Sequence, residues 1–308
     1  MATIGINGFG RIGKIIFLQL IEKNANVVAL NVPDFDINNI ETYLRHDSVH
    51  NYNTDWNIEI VNESMFRIQN KVIHILNSRV AKDLNWKKYG VNYLIDASGV
   101  YLTRDKAKEH NVEYIIMCAP PKDNTPSFMV NGNHESYNGE NIVSNSSCTS
   151  NSIIPVLKVL NDNYIIENAN FITIHSSTSS QQIVDTVKFK NRTSRSCINN
   201  IIPHTTGASK SIYKILPDLK DRIFGTSVRV PVSNVSLIDL NVHLRKNIKL
   251  EDLLSKLNSY DFINIDESNF KISCDYNTTK CPSIIDSKGE WLYDFSDPFY
   301  KENIYFLV

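Results

Sequence analysis

Residues Thr3-Ile4-Gly5-Ile6-Asn7 read as a short strand that runs straight into Gly8-Phe9-Gly10-Arg11-Ile12-Gly13 and then into a helix from Ile15 to Ile21. A second apolar strand, Val27 to Leu30, follows, so the stretch spells a βαβ unit. This constrains the fold tightly, because parallel strands joined by a helix cross over with one hand and bury both faces of their sheet. A GxGxxG alone is a weak signal. Between a strand and a helix it is a dinucleotide fingerprint, with glycines letting a pyrophosphate approach the helix N-terminus. Part of that fingerprint is absent: the second strand ends on Asn31-Val32-Pro33, where an acidic residue gripping the ribose hydroxyls of NAD is expected.

Strand-like and helical runs keep alternating through Tyr93-Leu94-Ile95-Asp96, Thr103 to Glu109 and Tyr114-Ile115-Ile116-Met117. The alternation predicts an α/β fold with a doubly wound parallel sheet. Gly99 and Ala119-Pro120-Pro121 fall after strand ends, where the cofactor crevice of such a sheet lies. Ile58 to Leu76 reads as an antiparallel hairpin insertion, Ile58-Glu59-Ile60-Val61 against Lys71-Val72-Ile73-His74-Ile75, turned near Gln69-Asn70. Past Asn151 the strands lengthen, notably Val235 to Leu244 with Val235, Leu237, Leu240 and Val242. That change predicts a mixed sheet.

The stretch richest in chemistry is Ser144-Asn145-Ser146-Ser147-Cys148-Thr149-Ser150-Asn151. The apolar residues after it, Ile153, Ile154, Val156, Leu157, Val159 and Leu160, read as a buried helix. Cys148 would then stand at or near the helix N-terminus, where the positive end of the helix and its free N–H groups favour a thiolate over a thiol. A free cysteine is ordinarily a buried small hydrophobe. Ser146, Ser147, Thr149 and Ser150 argue otherwise, being poor packing partners for a thiol but good N-caps and anion donors. A nucleophilic cysteine also needs a base, and His175 ends the strand-like run Phe171-Ile172-Thr173-Ile174. Sequence alone does not bring the two together, and a lone histidine after a strand is as readily a hydrogen-bonded structural residue. Arg229 sits inside the apolar run Val228-Arg229-Val230. An unpartnered charge there would be costly, so it needs a partner.

At 308 residues the chain can hold two domains with their own cores. Lys plus Arg number 32 against 33 for Asp plus Glu, which leaves no basic footprint for a nucleic acid. No apolar stretch reaches the length needed to span a bilayer. The chain enters a strand from Met1-Ala2-Thr3 without a signal segment. Five cysteines without metal-ligand spacing point to a reducing, cytoplasmic setting. Cys118, Cys197, Cys274 and Cys281 read as packing or surface thiols.

With the dinucleotide motif, the cysteine motif and His175 in that order, the chain closely resembles the phosphorylating glyceraldehyde-3-phosphate dehydrogenases. The resemblance runs through Ile6 to Gly13, Ser144 to Thr149, Ile201-Ile202-Pro203 leading to Thr205-Thr206-Gly207-Ala208, Arg229-Val230-Pro231 and Asn234-Val235-Ser236. It implies a Rossmann-type NAD-binding domain over residues 1–147 and an α+β catalytic domain with a mixed sheet over 148–308. It implies Cys148 as nucleophile and His175 as the general base that draws its proton and then handles that of the hemithioacetal oxygen. Thr178 and Arg229 would bind the triose phosphate, while Ser147, Thr149, Arg195, Thr206 and Gly207 complete the phosphate sites. Asn7, Gly8, Gly10, Arg11, Ile12, Arg79, Gly99 and Cys118 would hold NAD. The reaction implied is oxidation of D-glyceraldehyde 3-phosphate to 1,3-bisphosphoglycerate through a cysteine thioester, in a homotetramer. The loop Asp185 to Asn200, with Lys188, Lys190, Arg192 and Arg195, would lie against a neighbouring subunit.

The chain departs from the family pattern in its cofactor grip and its C-terminal part. Val32 replaces the ribose-gripping aspartate, so NAD should be held loosely, with NADP admitted. The family's Asn-Glu-x-Gly-Tyr run does not follow Trp291-Leu292-Tyr293-Asp294, where Phe295-Ser296-Asp297-Pro298-Phe299 stands instead. The stretch from Leu250 to Asp275 is short, and the chain ends at Val308 without the family's C-terminal helix. Three readings remain open: a working but divergent dehydrogenase, a non-catalytic member kept for binding or assembly, and a dehydrogenase of another sugar-phosphate aldehyde such as erythrose 4-phosphate.

Overall fold

The computed structural model describes residues 2–50, 55–187, 191–288 and 303–307. Contacts divide the chain into two units, Met1–Phe128 with Glu135–Ser146, and Met129–His134 with Ser147–Val308. The second unit begins at Ser147, beside the expected division, and takes a short segment out of the first.

The first unit runs β1 (Ile4–Asn7), α1 (Arg11–Glu22), β2 (Val27–Asn31), α2 (Ile40–Arg45), β3 (Ile58–Asn62), β4 (Met65–Ile68), β5 (Lys71–Leu76), β6 (Tyr93–Asp96), α3 (Arg104–Lys108), β7 (Tyr114–Met117) and β8 (Ile142–Ser144). Its 8-stranded sheet has the order β3-β4-β5-β2-β1-β6-β7-β8. From β5 to β8 every neighbouring pair is parallel. Strand order reverses around β1, which makes the carboxyl ends of β1, β2 and β6 the crevice of a doubly wound sheet. The insertion differs from the expected hairpin. Ile58–Asn62 pairs with Met65–Ile68, and it is that middle strand, not Ile58–Asn62, that pairs with Lys71–Leu76. The extra reversal is a local Asx turn, in which Asn62 Oδ1 accepts from the Ser64 amide at 2.9 Å.

The second unit runs α4 (Cys148–Tyr164), β9 (Ile166–Ser176), β10 (Ile202–His204), α5 (Ala208–Ile215), β11 (Ile223–Val230), β12 (Leu237–Leu244), α6 (Leu250–Asn258), β13 (Ile263–Asp266), β14 (Ser283–Asp286) and β15 (Asn303–Leu307). These strands form a 7-stranded mixed sheet, β10-β11-β9-β12-β15-β14-β13. In β9, Ile166, Ala169, Phe171 and Thr173 are buried, while Glu167, Asn168, Asn170 and Ile172 are exposed. The buried side meets α4 through Ile153, Val156, Leu157 and Leu160, α5 through Ile212 and Ile215, and α6 through Leu253 and Leu257. Strand β12 buries Ile238, Leu240, Val242 and Leu244. The expected series Val235, Leu237, Leu240, Val242 therefore slips phase: Leu237 lies on the opposite face from Leu240, because the side-chain period of a strand is two. Gly225 in β11 lies opposite Phe171, and a Cβ there would come within 2.2 Å of that ring.

Candidate active site

Cys148 is the first residue of α4. Ser147 is its N-cap, the side-chain oxygen accepting from the Ser150 amide at 3.1 Å. Ser146, just before, adopts φ 61°, which bends the chain into the helix start. Apolar burial fixes the helix so firmly that it continues through Pro155, at the loss of one backbone hydrogen bond. Cys148 is exposed, and its sulfur lies 3.4 Å from Nε2 of His175. The two side chains that sequence named separately are therefore in contact.

His175 belongs to the end of β9, and the parallel register with β11 sets Arg229 directly opposite it. Both residues fall in the phase of their strands that faces the helices. Arg229 Nη1 is 2.6 Å from His175 Nδ1 and donates to the Ser176 carbonyl at 2.8 Å. This supplies the partner that a guanidinium in an apolar run requires. Burial pulls Arg229 down from the ordinary arginine range, and the neighbouring Cys148 sulfur pushes the other way. Arg229 Nε is buried and has no hydrogen-bond partner among the described residues. A buried unpaired donor on a cation is expensive and marks the edge an anion would meet. Sequence reasoning assigned no role to Ser176, whose carbonyl anchors the arginine, or to Ser236, whose Oγ accepts from the Ser176 amide at 3.1 Å.

Thr178 Oγ1 bonds Gln181 Oε1 at 3.0 Å. Thr206 Oγ1 accepts from the Ala208 amide at 3.1 Å, at the start of α5, whose N-cap is Gly207. Arg195 is exposed and faces Asp185 at 3.7 Å. Thr149 is buried inside the first turn of α4. Lys188 and Lys190 lie outside the described residues, as does the run Trp291 to Phe299.

In the first unit, Gly8 has φ +90° and Gly13 lies so close to the Gly8 carbonyl that a Cβ would stand 2.0 Å from its oxygen. Gly10 opens onto empty space and caps α1 without any side-chain hydrogen bond. Uncapped N–H groups with room before them fit a pyrophosphate, and Arg11 and Ile12 follow at the exposed first turn. Asn7 is buried, and its side chain donates to Asp96 Oδ1 at 3.2 Å and accepts from Asn31 at 2.7 Å. Arg79 forms an exposed ion pair with Asp34. Gly99 lies beyond the end of β6 in a φ +70° turn. Burial, with a contribution from Asp96, pushes the Cys118 thiol up to about 12, so it behaves as a neutral packing group.

The family profile for the NAD binding domain of glyceraldehyde 3-phosphate dehydrogenase matches residues 2–104. The profile for the C-terminal domain of the same enzyme matches residues 147–297. The chain is 34% identical over 297 residues to the glyceraldehyde-3-phosphate dehydrogenase of Salmonella typhimurium (strain LT2), covering 93% of this chain and 88% of the relative. The same figures hold for glyceraldehyde-3-phosphate dehydrogenase A of Escherichia coli K12. The Klebsiella pneumoniae enzyme is 34% identical over 295 residues, 92% of this chain and 96% of the relative.

Proposed function

The chain belongs to the glyceraldehyde-3-phosphate dehydrogenase family, and from that premise we propose that it oxidises D-glyceraldehyde 3-phosphate and transfers the acyl group to inorganic phosphate, with Cys148 as nucleophile. The NAD-dependent dehydrogenase class and NAD itself come with the family. The observation that carries the mechanistic reading is the contact of Cys148 Sγ with His175 Nε2 at 3.4 Å, on an exposed sulfur at a helix start. A non-catalytic binding protein would have no use for that pairing.

The sulfur electron pair forms a bond to the aldehyde carbon while the C=O π pair moves to oxygen. His175, having taken the Cys148 proton, gives it to that oxygen and takes it back as the carbonyl re-forms, and loss of hydride from the carbon leaves a thioester on Cys148. NAD, when bound, supplies the hydride acceptor. Phosphate then attacks the thioester carbon and the sulfur leaves, so the oxidation energy is kept in an acyl phosphate instead of being lost to hydrolysis. Arg229, with its free Nε edge, and Thr178 bind the triose phosphate. Ser147, Thr149, Thr206, Gly207 and Arg195 serve the second phosphate position.

Ile183, Val184, Val187, Ile198 and Ile201 are exposed apolar residues gathered on one loop, which supports the reading of that loop as a subunit contact in a homotetramer. Among the described residues no helix is long and apolar enough to cross a membrane, and a cytoplasmic site follows the family reading. The test is NADH formation from glyceraldehyde 3-phosphate with and without phosphate. Phosphate-dependent turnover supports the assignment, and its absence at saturating NAD overturns it.

A further inference from the structure

The turn between β1 and α1 has an inner and an outer side. Phe9, Gly13 and Lys14 are buried, whereas Gly10, Arg11 and Ile12 are exposed. Three successive carbonyls are engaged on the inner side. The Gly8 oxygen lies against Gly13, the Gly10 oxygen accepts from the Lys14 amide at 2.9 Å, and the Phe9 oxygen accepts from the hydroxyl of Tyr43 on α2. The Tyr43 bond alone of these three comes from outside the glycine motif. Tyr43 is itself held on several sides. Its ring centroid lies 5.6 Å from those of both Phe9 and Phe35, and the Lys14 ammonium stands 4.8 Å from it. Lys14 also donates to the His46 carbonyl and to Asp47 Oδ2, each at 3.0 Å, which ties α1 to the segment after α2. Burial, and after it the Asp47 charge, raises the Tyr43 phenol above its ordinary value. The hydroxyl therefore keeps its proton and remains a donor.

The residue after Phe9 is what gives this bond its weight. A trans peptide is planar, with its C=O and N–H on opposite sides, so a Phe9 oxygen turned inward to Tyr43 leaves the Gly10 N–H turned outward. The reverse orientation needs a rotation of about half a turn, carrying Gly10 from φ -76° to positive φ, which glycine accepts readily. In that orientation a carbonyl oxygen would stand beside the uncapped N–H groups of α1 and repel an anion. The glycines thus permit the turn without choosing between its two forms. We propose that Tyr43 is a positioning residue for the dinucleotide: its hydroxyl holds the Phe9–Gly10 peptide with the oxygen inward, which keeps the exposed start of α1 free of acceptors for the pyrophosphate. This rests on the NAD binding domain and not on the reaction proposed above, so turnover plays no part in testing it.

The test is a binding titration of the full-length wild type and Tyr43→Phe with NAD, ADP and adenosine. Phenylalanine keeps the ring among Phe9, Phe35 and Lys14 and removes only the hydroxyl. NAD and ADP, which carry a pyrophosphate, should each bind about 3- to 10-fold more weakly, as for the loss of one ordinary hydrogen bond. Adenosine, which carries none, should bind as it does to the wild type. Equal weakening of all three would make Tyr43 a general support of the nucleotide domain and overturn the proposal. Unchanged affinities for NAD and ADP in a folded variant, judged by its thermal midpoint, would overturn it too. A second measurement needs no variant to fold: the wild type crystallised with ADP should keep the Phe9 oxygen on Tyr43. A Phe9 oxygen turned outward with ADP bound sinks the idea whatever the variant does.

Discussion

Two histidines in this chain each take a contact at Nδ1 from a side chain that only donates, and their surroundings give them opposite fates. In the first unit, Trp86 Nε1 donates to His110 Nδ1 at 3.2 Å, and the edge of the Tyr101 ring packs on the imidazole at 4.4 Å. Around it, at the carboxyl ends of β1, β2 and β6, Asn7, Asn31 and Asp96 bond one another, and Ser98 Oγ donates to Asp96 at 2.6 Å. His110 is 1% exposed and Asp96 3%. None of the buried side-chain nitrogens or oxygens of this cluster lacks a partner among the described residues. In the second unit the residue that meets the histidine's Nδ1 is Arg229, the neighbour is the exposed Cys148, and Arg229 Nε is among the buried donors left without a partner among the described residues. A polar cluster that satisfies itself holds strands together, whereas one with a surplus donor beside an exposed cysteine is suited to completion by a ligand.

The largest effect that could break this contrast comes from the sulfur. Cys148→Ser should lower turnover by at least about a thousandfold, since a hydroxyl is a far weaker nucleophile than a thiolate. Iodoacetamide should label Cys148 well ahead of the other four cysteines, Cys118, Cys197, Cys274 and Cys281. Comparable labelling of Cys274, which is also exposed, would remove the distinction between the two regions.

The closed cluster predicts an acid response in stability. Burial pulls His110 down to about 4, from an ordinary value of roughly 6.5. Protonation would also set a new N–H against the Trp86 donor. As pH falls from the ordinary value toward about 4, the unfolded chain takes up a proton that the folded chain refuses. Stability is therefore lost across that window and levels off below it, by at most on the order of 3 kcal/mol. Asp96 works in the other sense: burial raises it, so the folded state holds its proton more readily and acidification through its range favours folding. Thermal midpoints between about pH 7 and pH 5 should fall, and His110→Gln should flatten the slope. An equal slope in wild type and variant would place the acid-sensitive group elsewhere.

Next in size is the surplus donor. Arg229→Ala should lower kcat/KM for the triose phosphate more than for unphosphorylated glyceraldehyde, the difference being about 10- to 200-fold if a charge-assisted pair worth roughly 1.5–3 kcal/mol is lost. Both substrates should decline, because His175 loses the side chain that packs against its Nδ1 as well. If the two decline equally, Arg229 holds no phosphate.

The open site was the more legible of the two in sequence. Cys148 announces itself through small polar neighbours before an apolar helix, His175 ends an apolar run and Arg229 sits inside one, both runs becoming strands; the parallel register of β9 and β11 then does what sequence cannot, pairing residues far apart in the chain. The closed cluster left no trace. Asn7, Asn31, Asp96, Trp86 and His110 are ordinary residue types, and only folding of the sheet converges them. For the same reason Asn7, expected to touch the cofactor, is found with both ends of its amide engaged inside the protein. The missed strand Met65–Ile68 has a simpler cause: Asn62-Glu63-Ser64 carries no glycine or proline to mark a turn.

The smallest effect lies between the two regions in kind. Val32 follows β2, its amide donating to the Leu76 carbonyl at 2.9 Å, and its half-buried side chain packs on the first core. A carboxylate at this position accepts from the ribose hydroxyls of NAD and repels the additional phosphate of NADP, and valine does neither. Val32→Asp should therefore tighten NAD and weaken NADP, each by about 1 kcal/mol at a solvent-screened position, as read by calorimetric titration. The structure offers a competitor. Asp34, two residues on, has φ 61° and turns its carboxylate to Arg79, so an acid is present near the strand end although not at the expected residue. If Val32→Asp leaves both affinities unchanged while Asp34→Asn weakens NAD, the grip has moved to Asp34 and the Arg79 pair steers it. If Val32→Asp alone tightens NAD, the strand end is an unsatisfied ligand site, with the surplus supplied by the cofactor's own hydroxyls instead of by a protein donor.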